Sequence, residues 1–178
     1  MDNILERNNY LVIRNFISPD RAKQLSREFI DYCNNEDIGG DEQVFSSQSV
    51  HDYISFLELL NEKSTFVSAQ VRETVLPTYC YARNYLNDAL LEIHKDRPSC
   101  EVSVTLHLDG DMDWPFYIKT PNGETKSVSL RSGDAMIYLG MRAEHWRNNY
   151  QGQSYTQVFL HYVRSRGPNV KHYFDKVR

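Results

Sequence analysis

The sequence predicts an α+β domain in which helices from the first half of the chain pack against a β-sandwich or barrel built by the second half. Apolar residues recur at helical spacing in the first half, whereas from Thr78 onward side chains alternate with the period of two that is typical of strands. The chain has 178 residues, 40% of them hydrophobic, and no repeat or linker divides it. We therefore expect one domain over residues 1–178 with a single main core.

A strand followed by a helix is predicted to open the chain. The run from Tyr10 to Ile17 is rich in β-branched and aromatic residues, which favours a strand. Ser18 and Pro19 then indicate the start of a helix, since serine is a preferred N-cap and proline suits the first turn. We expect this helix to end near Asn34 and Asn35.

The next segment is predicted to be a long loop followed by more helix. Residues 36–50 contain Gly39 and Gly40 and show no periodicity, so we expect a loop that is functional or mobile. From His51 to Glu73 the apolar spacing is helical again. We expect two helices here, with a break around Lys63 and Ser64.

Short strands fill the rest of the predicted barrel. Asn122 and Gly123 lie between two of them and predict a tight hairpin, because both residues accept positive φ angles. The predicted strands are Thr78–Tyr85, Ser99–Leu108, Pro115–Lys119, Lys126–Leu130, Ala135–Leu139 and Tyr155–Val163.

Composition narrows the class of protein. The formal net charge of −4 argues against a nucleic-acid partner, since proteins that bind nucleic acid without sequence preference are normally basic. Apolar runs are too short for a membrane span, and the charged N-terminus is unlike a secretory signal. The three cysteines lie far apart, so we expect reduced thiols and a cytoplasmic location.

Two histidines and one aspartate are candidate metal ligands. His94 and Asp96 lie two residues apart, so in an extended segment both side chains point to the same face. His145 from a later strand would complete two imidazoles and one carboxylate. A set of three such ligands with open coordination positions is what non-haem Fe(II) oxygen chemistry requires. The short H-x-D pattern alone is a weak signal, because such matches also arise by chance.

The order of several motifs strengthens this interpretation. Tyr85 ends a strand nine residues before His94, and a strand follows the H-x-D pattern at residues 101–108. The segment from Ser132 to Tyr138 and the sequence around His145 follow in turn. In this order the second half of the chain resembles the 2-oxoglutarate- and Fe(II)-dependent dioxygenases of the prolyl 4-hydroxylase-like group. Within that group it is similar to a branch of small proteins from marine microbes and their phages.

The resemblance covers nearly the whole chain and implies both a fold and a reaction. The fold implied is a double-stranded β-helix, a jelly-roll barrel at residues 77–165, with the N-terminal strand and helices of residues 1–76 packed on its major sheet. The reaction implied is hydroxylation of a C–H bond that consumes 2-oxoglutarate and O₂ and releases succinate and CO₂. His94, Asp96 and His145 are the implied Fe(II) ligands, and Tyr85 matches a tyrosine that contacts 2-oxoglutarate in the family.

One expected residue of the family pattern is missing. Relatives carry a Lys or Arg nine or ten residues after the distal histidine, where it pairs with the buried distal carboxylate of 2-oxoglutarate, but here Ser154 and Tyr155 occupy those positions. Arg147 and Arg83 are the two replacements we expect, because either guanidinium could bind a carboxylate with two hydrogen bonds. Arg164 is a third choice.

Three further residues are candidate contacts of 2-oxoglutarate. His107 occupies a position where relatives often carry a tyrosine. Tyr155 and His161 share one face of the last strand, which alternation places toward the barrel interior. A packed core histidine is an equally good interpretation of His161.

The sequence does not identify the substrate. The resemblance implies a prolyl residue in a peptide or protein, and a free amino acid or another small metabolite is the competing enzymatic hypothesis. A hypothesis of a different class is a cupin-like metal- or ligand-binding module without oxygenase turnover. The non-basic Ser154 and Tyr155 favour that module, whereas an arginine directed at the metal site would favour the enzyme.

Overall fold

Three helices and two sheets make up the computed structural model, which describes residues 3–175. The helices are α1 (Ile4–Asn8), α2 (Pro19–Asn35) and α3 (Ile54–Val71), with 3₁₀ turns at Pro98–Cys100 and Val170–His172. The side chain of Ser18 accepts a hydrogen bond from the backbone N–H of Arg21 at 3.2 Å, so the predicted N-cap of α2 is confirmed.

Ten strands form the two sheets, and all pairs are antiparallel. The six-stranded sheet has the order β1-β8-β5-β10-β3-β2, and the four-stranded sheet has the order β4-β9-β6-β7. The strands are β1 (Tyr10–Ile13), β2 (Ser47–His51), β3 (Val75–Leu86), β4 (Leu91–His94), β5 (Val102–Gly110), β6 (Phe116–Lys119), β7 (Thr125–Val128), β8 (Ala135–Tyr138), β9 (His145–Arg147) and β10 (Ser154–Arg164).

The two faces of the large sheet have different environments. On β10, Val158 and Leu160 face outward and join the main hydrophobic core, together with Phe29 of α2 and Phe56 of α3. The alternate residues of β10 face the space between the sheets, as the period of two requires. Helices packed on the major sheet of an α+β barrel are therefore confirmed. The interior face, which carries polar groups such as Gln157, holds the candidate site.

The first half differs from the sequence-based prediction at two places. Helix α3 runs unbroken from Ile54 to Val71, so the predicted break is wrong. Lys63 lies over the ring of Phe16 at 5.0 Å, and the hydroxyl of Ser64 bonds to the Leu60 carbonyl within the helix, so both polar residues are accommodated. The predicted loop ends earlier, because Ser47–His51 pairs with β3 as an edge strand.

The hairpin between β6 and β7 forms where the sequence predicts it, but with a different turn. Gly123 has a φ of 83°, whereas Asn122 is not among the described residues with positive φ. The N–H of Gly123 donates to the carbonyl of Thr120, and the N–H of Thr120 donates to Glu124, both at 2.9 Å. The longer loop therefore needs only one left-handed residue, which glycine supplies.

No helix within residues 3–175 combines the length and the hydrophobicity that a membrane crossing requires.

Candidate active site

The three predicted metal ligands lie together at one mouth of the barrel. His94 is the last residue of β4 and His145 is the first residue of β9, and the two are directly opposite each other in the paired strands. Asp96 follows β4 by two residues, and its backbone N–H is fixed by the carbonyl of Gly140 at 3.0 Å. Strand pairing thus brings together residues that are 49 to 51 positions apart in the sequence.

The ligand atoms converge on one point. Asp96 Oδ1 lies 3.4 Å from His145 Nε2 and 3.6 Å from His94 Nε2. Nδ1 of His94 is 2.8 Å from the Glu92 carbonyl, and Nδ1 of His145 is 2.9 Å from the Ala143 carbonyl. Because a carbonyl only accepts, each Nδ1 carries the proton and each Nε2 offers a lone pair. The donor set therefore fits a divalent metal of the Fe(II) type.

The second carboxylate oxygen of Asp96 accepts a hydrogen bond from a neighbouring strand of the large sheet. The hydroxyl of Ser103 donates to Asp96 Oδ2 at 3.1 Å, and the same hydroxyl is 2.9 Å from Nδ1 of His161. Ser103 and His161 face each other across β5 and β10. The structure thus places His161 behind the carboxylate ligand, where it orients Asp96 through Ser103; such supporting contacts tune metal affinity.

Charge states at neutral pH also suit metal binding. Burial lowers the pKa of His94 below its ordinary value, and the neighbouring His145 contributes in the same direction. Burial on its own raises the pKa of Asp96, but the hydrogen bond with His145 and the surrounding histidines outweigh it and lower the pKa. His94 is therefore neutral and Asp96 ionised at neutral pH, which are the forms that coordinate metal.

Gly140 leaves no room for a side chain beside Asp96. A Cβ at this position would overlap Asp96 Oδ2 and would lie 2.7 Å from the Cys100 carbonyl, which is backbone and cannot yield easily. We expect Gly140→Ala to displace the carboxylate and weaken binding of Fe(II) or Zn(II) roughly 10- to 100-fold, as loss of supporting contacts at metal sites does. Equilibrium metal titration measures the effect.

Gly39→Ala is the matched control for that substitution. A Cβ on Gly39 has no atom within 4 Å, so metal affinity should stay unchanged. Equal affinities of the Gly140→Ala protein and the wild type would show that the carboxylate position is not set by this close approach.

A cavity of about 320 Å³ opens beside the ligands. Its wall combines the three ligands with aromatic side chains and several cations, and part of it comes from the loop before β2. Residues that line it include Asp41, Gln43, His51, Tyr79, Tyr81, Arg83, Tyr85, Leu91, Lys95, Arg97, Cys100, Phe116, Tyr138, Phe159 and His161. Of the predicted 2-oxoglutarate contacts, Tyr85, Arg83 and His161 thus share the cavity with the metal ligands.

Arg83 is buried in the cavity wall, with 2% of its surface exposed. Its Nη2 donates to the carboxylate of Asp41 and to the hydroxyl of Tyr81, and its Nη1 is 3.4 Å from the hydroxyl of Tyr85. Its Nε has no hydrogen-bond partner within the described residues. Burial opposes the charge, but Tyr85, Tyr81 and Asp41 outweigh it and raise the pKa of Arg83.

Arg147 is buried deeper, behind the cavity. Its guanidinium carbon lies 5.4 Å from the ring centre of Phe116, a residue of the cavity wall, and 4.6 Å from that of Trp114. Nη1 donates to the Trp114 carbonyl and Nη2 donates to Gln157 Oε1 at 3.0 Å. Both acceptors are neutral, and within residues 3–175 no carboxylate forms an ion pair with Arg147. A buried cation without an acidic partner is costly.

The remaining candidates lie elsewhere. His107 and Tyr155 stack on each other with ring centres 4.1 Å apart and line a different cavity, bounded by Arg14 and Arg131. Their contact with 2-oxoglutarate stays a prediction, although the guanidinium carbon of Arg147 lies 4.9 Å from the ring centre of Tyr155. Arg164 forms ion pairs with Glu101 and Glu6, which places it outside the metal cavity.

Two of the cavity residues that were not predicted from the sequence come from the loop before β2. Asp41 and Gln43 belong to the segment interpreted as a loop, and both reach the interior of the site. Gln43 Oε1 accepts from Arg83 at 3.2 Å, while Gln43 Nε2 is 3.5 Å from His94 Nε2. A polar loop without periodicity gives no signal for such contacts. Only the unusual length of the loop pointed to function.

Structural comparison finds the same fold in oxygenases of low sequence identity. A prolyl-4-hydroxylase from Pseudomonas putida matches with a TM-score of 0.74 and 16% identity over 92% of this chain and 96% of that chain. HygX from Streptomyces hygroscopicus, solved with nickel, 2-oxoglutarate and hygromycin B bound, matches with a TM-score of 0.72 and 14% identity over 92% and 86%. No family model matches the sequence, and no curated protein matches it.

A third similar structure has a different activity. SnoN, a non-heme α-ketoglutarate-dependent epimerase from nogalamycin biosynthesis, matches with a TM-score of 0.76 and 11% identity over 90% of this chain and 80% of that chain. The three proteins share the fold while differing in reaction or substrate. This chain therefore has the double-stranded β-helix fold of the 2-oxoglutarate- and Fe(II)-dependent oxygenases.

Proposed function

We propose that the protein is a 2-oxoglutarate- and Fe(II)-dependent oxygenase that hydroxylates an unactivated C–H bond. The observation that carries this proposal is the convergence of His94, Asp96 and His145 at the mouth of a barrel whose cavity wall also contains the buried cation Arg83. Fe(II) bound there supplies O₂ activation: 2-oxoglutarate is oxidised to succinate and CO₂ while the substrate C–H becomes C–OH. Three protein ligands leave positions open for small molecules.

The chain's own residues have distinct tasks in this reaction. His94, Asp96 and His145 hold the metal, and Ser103 and His161 keep the carboxylate oriented through the hydrogen bonds described above. Aromatic side chains such as Phe116, Tyr138 and Phe159 form the apolar part of the cavity wall. Burial lowers the pKa of His161 to about 4, so this imidazole stays neutral beside the metal site.

Arg147 is the residue we assign to the distal carboxylate of 2-oxoglutarate. The tail of a co-substrate whose 2-oxo acid end faces the metal extends away from the mouth, into the barrel. Arg147 lies next to Phe116 of the cavity wall, with 1% of its surface exposed and without an acidic partner among the described residues. Tyr85 adjoins this region, because its ring contacts Trp114, on which the guanidinium lies.

Two substrate classes follow from the sequence and the similar structures. A prolyl residue in a peptide or protein is the substrate implied by the resemblance to prolyl 4-hydroxylases. A small molecule is the alternative, in keeping with the hygromycin B bound in HygX. The cupin-like module without turnover is disfavoured, because the arginine at the metal site that would distinguish an enzyme is present as Arg83.

The charge-transfer spectrum of the metal complex tests the proposed function. Anaerobic titration of the apo-protein with Fe(II) and then 2-oxoglutarate should produce a visible metal-to-ligand charge-transfer band that requires both additions. The band arises because the 2-oxo acid chelates Fe(II) only where coordination positions are open. Tight Fe(II) binding without any band would instead support the cupin-like metal module and would remove 2-oxoglutarate from the proposal.

A further inference from the structure

Asp41 occupies the cavity as an ion-pair partner of Arg83. One carboxylate oxygen, Oδ1, accepts from the backbone N–H groups of Gln43 at 3.0 Å and Val44 at 2.9 Å, and so holds the local turn. The other oxygen, Oδ2, contacts Arg83 Nη2 and the hydroxyl of Tyr81. The two oxygens thus have separate roles, and the second one completes a contact between the loop and the cavity wall.

The partners of Oδ2 form a recognisable binding arrangement for a carboxylate. Arg83 contributes a buried guanidinium, and Tyr81 contributes a hydroxyl at a neighbouring inward position of β3. Charge-assisted bonds of this kind are among the strongest hydrogen bonds in proteins. Removing the acidic partner without replacement would leave Arg83 buried with an uncompensated charge, which is strongly unfavourable. Some carboxylate is therefore required at this position.

This carboxylate position faces the mouth of the cavity. The side chain of Asp41 is 34% exposed, whereas that of Arg83 is 2% exposed. Gln43, two residues further along, is exposed and reaches within 3.5 Å of His94 Nε2. The loop therefore lies between solvent and the candidate metal ligands, where a substrate has to enter, whereas Arg147 does not line this cavity.

The mouth is also more cationic than the protein as a whole. The cavity lining contains three cations, Arg83, Lys95 and Arg97, and two carboxylates, Asp41 and Asp96, although the net charge of the chain is −4. Arg97 also forms an ion pair with Asp175 at 3.1 Å, so the exposed Lys95 is the main cation that faces an entering ligand. A positively charged entrance raises the local concentration of anions. The charge at the site thus favours an acidic ligand.

We propose that Arg83 and Tyr81 form a subsite for a carboxylate group of the substrate, and that Asp41 fills this subsite until the substrate carboxylate displaces it. The substrate class is then a carboxylate-bearing molecule, and its binding opens the loop before β2. This inference rests on the proposed function for its identification of the cavity as the active site. Occupation by Asp41 keeps Arg83 neutralised when no substrate is bound.

Chemical rescue by acetate tests the subsite without knowledge of the substrate. Asp41→Ala removes the carboxylate, and the position of Asp41 is open to solvent, so acetate should bind beside Arg83 with its methyl group toward solvent and stabilise the folded protein. We expect the apparent affinity for acetate, obtained from the rise of the unfolding midpoint, to be at least roughly tenfold higher in Asp41→Ala than in the wild type, as a regained charged hydrogen bond predicts. Acetamide and sodium chloride at equal concentrations should have no comparable effect.

Two controls separate the subsite from general effects. Glu42→Ala removes the same charge from the same loop, but Glu42 does not line the cavity. Acetate should therefore raise the unfolding midpoint of this variant by no more than that of the wild type. Asp41→Ala combined with Arg83→Met should lose the response. If Asp41→Ala does not fold, Asp41→Ser gives the same comparison, because its hydroxyl can accept the N–H groups of the turn while the carboxylate beside Arg83 is removed.

A second series with Zn(II) and saturating 2-oxoglutarate identifies the source of the carboxylate. Persistence of the acetate response supports a substrate subsite, whereas its loss means that the distal carboxylate of 2-oxoglutarate uses Arg83 and overturns the assignment to the substrate. No acetate response in either series, or an equal response to acetamide, would overturn the subsite itself. Binding of 2-oxoglutarate is verified separately by the charge-transfer band. Failure of the proposed function, which removes the band, is therefore distinguishable from failure of the carboxylate subsite, which removes only the acetate response.

Discussion

Replacement of Asp96 by alanine is expected to abolish Fe(II)-dependent consumption of 2-oxoglutarate and to weaken Fe(II) binding by at least about 100-fold. Asp96 is the anionic ligand of the set, and its Oδ1 lies within 3.6 Å of both imidazole Nε2 atoms. Its loss leaves two neutral ligands and removes the acceptor of the Ser103 hydroxyl. Succinate formation and equilibrium Fe(II) titration measure the two effects.

The fold should survive this change. Asp96 lies at the barrel mouth and belongs to none of the three hydrophobic core clusters, so the far-ultraviolet circular dichroism should match that of the wild type. His94→Ala and His145→Ala should behave in the same way, and His145→Ala should also lose the charge-transfer band. His172→Ala, a histidine outside the cavity, is the matched control. Full activity of Asp96→Ala would refute the ligand assignment.

The large sheet and the metal ligands were predictable because they depend on short, regular patterns. Alternation along residues 79–85 and 155–161 indicates which side chains face the interior, and the observed pairing of Gln157 with Arg83 obeys it. The spacing of the H-x-D pattern places two candidate ligands on one face, although the pattern by itself is a weak signal. The third ligand, His145, needed the order of motifs, since its partner strand lies about 50 residues away.

Other parts of the site depend on contacts that no local pattern encodes. Asp41 and Gln43 reach Arg83 and His94 across 40 and more residues, from a segment whose composition indicates only a loop. Gly140 is needed because of the approach of Asp96, which appears only after folding. Such residues become visible through the three-dimensional arrangement, because their constraint is steric or electrostatic and not periodic.

The two buried arginines illustrate the same limit. From the sequence, Arg83 and Arg147 are equally good partners for a carboxylate. The structure distinguishes them by their surroundings: Arg83 is already paired with Asp41 near the mouth, whereas Arg147 contacts neutral oxygens and aromatic rings deep in the barrel. Among the described residues, Arg83 therefore has an anionic partner and Arg147 has none. On this difference we propose different ligands for the two residues.

Arg147→Met is accordingly expected to weaken 2-oxoglutarate binding by roughly 10- to 100-fold, because a charge-assisted contact with the distal carboxylate is lost. Affinity for the metal should not change, since Arg147 contacts none of the three ligands. Titration of the Zn(II)-loaded protein with 2-oxoglutarate measures the first effect. Pyruvate, a 2-oxo acid that lacks the distal carboxylate, is the matched ligand, and its weaker binding should be the same in variant and wild type.

Arg83→Met provides the comparison that decides between the two arginines. It should change 2-oxoglutarate affinity by less than about threefold, since charge-assisted bonds to the distal carboxylate are made elsewhere. Because Arg147 is buried, its removal also costs stability, but a purely structural effect would weaken pyruvate and 2-oxoglutarate alike. A larger loss of 2-oxoglutarate affinity in Arg83→Met, with pyruvate unaffected, would assign the distal carboxylate to Arg83 and leave Arg147 a structural role between Trp114 and Gln157.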